Sequence, residues 1–89
     1  MTVRPLGAVT PDQQRQYNSA IDRSLASAQH SLGTAARHKL NRDQQSVVAQ
    51  VQQFMQQAQQ ARQSDLAAAK SLAERAEVLA GDLVRSLRR

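Results

Sequence analysis

Apolar residues along this chain recur at steps of three and four, in three runs separated by short polar breaks. The clearest run lies in Gln44–Arg62, QQSVVAQVQQFMQQAQQAR. On a wheel advancing about 100° per residue, Val47, Val51, Phe54, Ala58 and Ala61 form one stripe, and Val48 and Met55 widen it to one side. Gln50, Gln53, Gln56, Gln57 and Gln60 take the opposite side. Glutamine favours helix and carries no charge, so this face is soluble without being an electrostatic target. The glutamines follow helical phase, with Val and Ala between them, which argues against a prion-like tract.

An earlier run, Tyr17, Ile21, Leu25, Ala28 and Leu32, steps by four, four, three and four. Its start is marked by Thr10-Pro11-Asp12-Gln13: an N-cap threonine, proline at the first helical position, an acid in the first turn and glutamine at the capping-box position. Gly33-Thr34 ends or frays this helix, and Ala35–Leu40 reads equally as one more turn or as loop. Asn41-Arg42-Asp43-Gln44 is a second capping signature, so the next helix starts near Arg42.

Leu66, Ala69, Ala73, Ala76, Ala80, Leu83 and Leu87 form the third run, with Leu72 and Leu79 beside it. A single straight helix through both later runs would put Arg62 and Asp65 in its apolar seam, where buried charge is costly. A turn at 62–65 avoids this, with Ser64 as N-cap and Asp65 in the first turn, facing the positive end of the helix dipole. Gly81 falls inside the third run and reads as a position of close helix packing.

The predicted helices, 12–32, 42–62 and 65–88, have similar lengths, about 30 Å at 1.5 Å per residue. Such lengths and short connections predict an all-α, up-down-up three-helix bundle over 10–89, preceded by a flexible segment at 1–9. The alternative is a long two-helix hairpin that dimerises into a four-helix bundle. The expected core is Tyr17, Ile21, Leu25, Leu32, Val47, Val51, Phe54, Leu66, Leu72, Ala76, Leu79 and Leu83.

Ala58–Leu79, AQQARQSDLAAAKSLAERAEVL, resembles the helix–turn–helix of tetratricopeptide-like repeats. Asp65, Ala69, Glu74 and Ala76 stand at that family's second-helix positions. The aromatic and Leu-Gly positions of its first helix and its closing proline are absent, and no second copy of the unit occurs. The resemblance implies a helical hairpin turning at 62–65, and it implies no concave peptide groove, which needs stacked copies.

Composition narrows the chemistry. Tyr17 and Phe54 are the only aromatic residues, so the core must be thin and the helices closely spaced. The chain has no cysteine, which excludes disulfides, thiolate metal sites and cysteine nucleophiles. No apolar run approaches a membrane span, and the compartment is left open. His30 and His38 are eight residues apart and lack acidic neighbours at metal-ligand spacing, so they read as surface histidines. Lys70 with Glu74, and Asp82 with Arg85, have the spacing of ordinary helix pairs. With no phosphate loop and no nucleophile–base pair, no catalytic residue, metal, cofactor or small-molecule substrate is expected.

The net charge is +5 and the pI about 11.1. The bases cluster only at Arg37, Lys39 and Arg42 and at Arg85, Arg88 and Arg89. These six are the candidate phosphate contacts. Aromatic interleaving and a basic recognition helix are both absent, so no binding tighter than micromolar at physiological salt is expected. The favoured expectation is a non-catalytic structural or protein-interaction module that can self-associate; a nonspecific nucleic-acid binder is the alternative.

Overall fold

Three side-chain caps start three helices. A computed structural model of the protein describes residues 10–88; segment 1–9, expected as a lead-in, and Arg89 lie outside the described residues. Helix α1 spans Pro11–Ala35, α2 Arg42–Ala61 and α3 Leu66–Leu87. Thr10 and Gln13 exchange both capping-box hydrogen bonds, at 3.0 and 3.1 Å. Asn41 and Gln44 do the same at 2.9 and 2.8 Å.

The third cap differs from expectation. Asp65, in extended conformation, is itself the N-cap, and its carboxylate accepts the Ala68 amide at 3.1 Å. Ser64 lies one residue too early, in the turn that follows α2. A carboxylate accepts this bond more strongly than a hydroxyl and also complements the helix dipole, so it takes the cap.

α1 and α2 each pack along α3 and scarcely touch one another. The Ser24 hydroxyl donates to Glu77, and Ala28 packs with Ala76 and Ala80, so α1 and α3 run parallel. Ala58 meets Ala69 at one end while Val51 meets Ala76 and Ala80 further along, so α2 runs antiparallel to both. The chain is an up-down-up bundle with α3 at its centre, and the turn at 62–64 excludes one continuous helix from 42 to 88.

The seams explain this arrangement. Ile21, Leu25, Ala28, Leu32 and Ala35 on α1 alternate steps of four and three, as do Ala69, Ala73, Ala76, Ala80 and Leu83 on α3. That repeat keeps one stripe facing a partner along a left-handed, nearly aligned pair. On α3 the four seam alanines are wholly buried. Alanine lets backbones approach closely, so the larger side chains lie at the seam edges. Ile21 and Val51 are the only large side chains fully enclosed among the described residues.

Two glycines behave otherwise than expected. Gly33 does not end α1, which continues to Ala35, with 36–41 forming the connection. A methyl group at Gly81 would meet nothing within 4 Å, so this glycine serves no close packing of the helices.

Candidate functional site

Two exposed features stand apart from this core. The first is an open apolar groove of about 520 Å³ along the outer side of the α2–α3 hairpin, lined by Phe54, Ser71, Glu74, Arg75, Val78 and Leu79. Its floor is the half-buried Phe54 and Leu79, which sit at the seam edge because the alanines hold the centre. Val78 is 58% exposed, the one large apolar side chain so exposed among the described residues. Glu74 is paired with Lys70 at 3.0 Å, whereas Arg75 has no ion-pair partner among the described residues. Gln50 and Gln57, assigned from sequence to the face opposite the stripe, stand one helical turn from Phe54 on either side and so border its flank of α2; both are exposed.

The second feature is electrostatic. Because α1 and α3 run parallel, the α1–α2 connection and the end of α3 lie at the same end of the bundle. Arg37, Lys39 and Arg42 thus share one pole with Arg85 and Arg88, and all five are exposed. Arg89, grouped with them from sequence, lies outside the described residues.

A third region is structural. Arg62, which follows the last residue of α2, turns its guanidinium onto α1. It donates to the Asn18 side chain at 2.9 Å, to the Asn18 carbonyl at 3.1 Å and to the Asp22 carboxylate. The charge that would have spoiled a continuous seam is instead the polar clasp between the two helices that otherwise barely meet. Asn18 and Asp22, one turn apart on α1, were the sequence signal for it.

Of the expected core positions, Ile21, Leu25, Val51, Ala76 and Leu83 are buried. Tyr17, Leu32, Val47, Phe54, Leu66, Leu72 and Leu79 are half-buried. His30 and His38 are both exposed, and no group of three metal-ligating side chains occurs among the described residues. The pairs Lys70–Glu74 and Asp82–Arg85 both form. Among the described residues, no helix is long and apolar enough to cross a membrane. Sequence reasoning missed Val78, whose signal was a large apolar residue lying off the stripe of its own helix.

No protein-family model matches this chain, and no curated protein or solved structure matches it.

Proposed function

We propose that the protein is a non-catalytic helical interaction module and that the α2–α3 groove receives a second copy of the chain. The observation that carries this is the exposure of Val78 over a floor of Phe54 and Leu79. Apolar surface gathered in one groove favours association, since its removal from water yields about 25 cal/mol per Å².

The charges on the groove wall favour a like partner. Glu74 and Arg75 are adjacent, so a two-fold axis across the groove can set each Arg75 against the partner's Glu74. Gln50 and Gln57 add hydrogen-bonding capacity without repulsion. The product is a dimer in which two hairpins face each other and each α1 stays outside.

Sedimentation equilibrium tests this. The protein should show reversible dimerisation nearly indifferent to salt. Val78→Glu should raise the dimer dissociation constant at least tenfold, about 1.4 kcal/mol, with helicity unchanged. A protein monomeric at every accessible concentration, or a dimer unaffected by Val78→Glu, would remove the groove from the account.

A further inference from the structure

The bundle sorts its charge by position. Among the described residues, the pole formed by the 36–41 connection, the start of α2 and the end of α3 holds five bases, Arg37, Lys39, Arg42, Arg85 and Arg88. It holds only two acids, Asp43 and Asp82, and Asp82 is paired with Arg85. Elsewhere Arg15, Arg23, Arg62, Lys70 and Arg75 are balanced by Asp12, Asp22, Asp65, Glu74 and Glu77. The whole positive excess of the described residues therefore lies at one end.

Helix stability accounts for only part of this. Arg85 and Arg88 complement the negative end of the α3 dipole. Arg42 does the reverse: it occupies the first position of α2, where the dipole is positive and a base is disfavoured. Arg37 and Lys39 lie in the connection, where no ion pair holds them among the described residues. The α2 N-terminus lies at the same pole, and its dipole adds to the attraction for anions.

We infer that this pole is a sequence-independent contact site for the phosphodiester backbone of nucleic acid. The inference is separate from the groove and does not depend on dimerisation. Phosphate contact needs an excess of cations and no base-reading geometry, and the pole offers five bases against two acids. An anionic membrane is the less suited partner, because the apolar residues there, Leu40 and Leu87, are half-buried and no aromatic side chain accompanies them.

The test is fluorescence anisotropy on two labelled duplexes of unrelated sequence, with the full chain carrying Val78→Glu so that self-association does not enter. Both duplexes should bind alike, at micromolar affinity or weaker at physiological salt. With three to five contacts, affinity should fall about 40- to 500-fold between about 50 and about 200 mM salt. Replacing Arg37, Lys39 and Arg42 by Gln should lower the slope of log affinity on log salt by about 2.7, at unchanged helicity. The equally charged control R15Q/R23Q/K70Q should leave that slope intact. Absence of binding at the lowest salt would overturn the inference. So would equal losses in the two triple variants, or binding to phosphatidylserine vesicles in place of the duplexes.

Discussion

At the scale of single residues, stability rests on a few enclosed side chains and on caps. Ile21 is wholly buried, so Ile21→Ala should cost about 2–5 kcal/mol in chemical denaturation. Phe54 is larger, but part of its ring already meets water; Phe54→Ala should cost less than Ile21→Ala, the reverse of the order that side-chain size alone gives. Gly81→Ala should stabilise by about 0.5–1 kcal/mol, seen as a melting temperature a few degrees higher, since the methyl group meets no neighbour. A lower melting temperature would restore the close-packing role that the sequence had pointed to. Burial of Ile21 was legible because it stands mid-stripe among residues of one phase. The half-exposure of Phe54 was not, because a wheel gives direction and says nothing of how near the facing helix comes.

At the scale of elements, each helix begins where a side chain can hold its first amides. Asp65→Ala should cost about 1 kcal/mol, while Ser64→Ala should be nearly neutral, and equilibrium unfolding of the two variants separates them. The reversal at 62–65 was legible from two charges out of place in a seam. The identity of the cap was not, because Ser64 and Asp65 both suit the role by residue type, and the carboxylate's stronger acceptance decides only once the backbone turns extended at 65. The central position of α3 was likewise hidden. The seam of α2 carries larger side chains, Val51 among them, yet the small side chains of α3 allow two helices to approach it at once. Overpacking that seam is the corresponding test. Ala73→Leu should cost about 1–3 kcal/mol, whereas Ala67→Leu, on the exposed face of the same helix, should change little.

At the scale of the whole molecule, the fold does two things the linear sequence did not display. It gathers two distant basic segments at one pole, and it leaves Val78 uncovered above Phe54 and Leu79 on the outer side of the hairpin. The first follows from the parallel course of α1 and α3, which the up-down-up order already implied. The second depends on which side of the α2–α3 pair α1 occupies, and helical phase alone does not fix that. Association through the hairpin face is the central claim, and a single spin label measures it. Ser71 lies on the groove wall and is exposed, so Ser71→Cys accepts a nitroxide at the proposed contact. Helices packed about 8–10 Å apart would place the two labels of a dimer within about 25 Å in pulsed dipolar spectroscopy. A label at Ser19→Cys, on the distant α1, should give a longer distance, and Val78→Glu should weaken both signals in step with the raised dissociation constant. No intermolecular coupling from position 71, or a shorter distance from position 19 than from 71, would contradict the account.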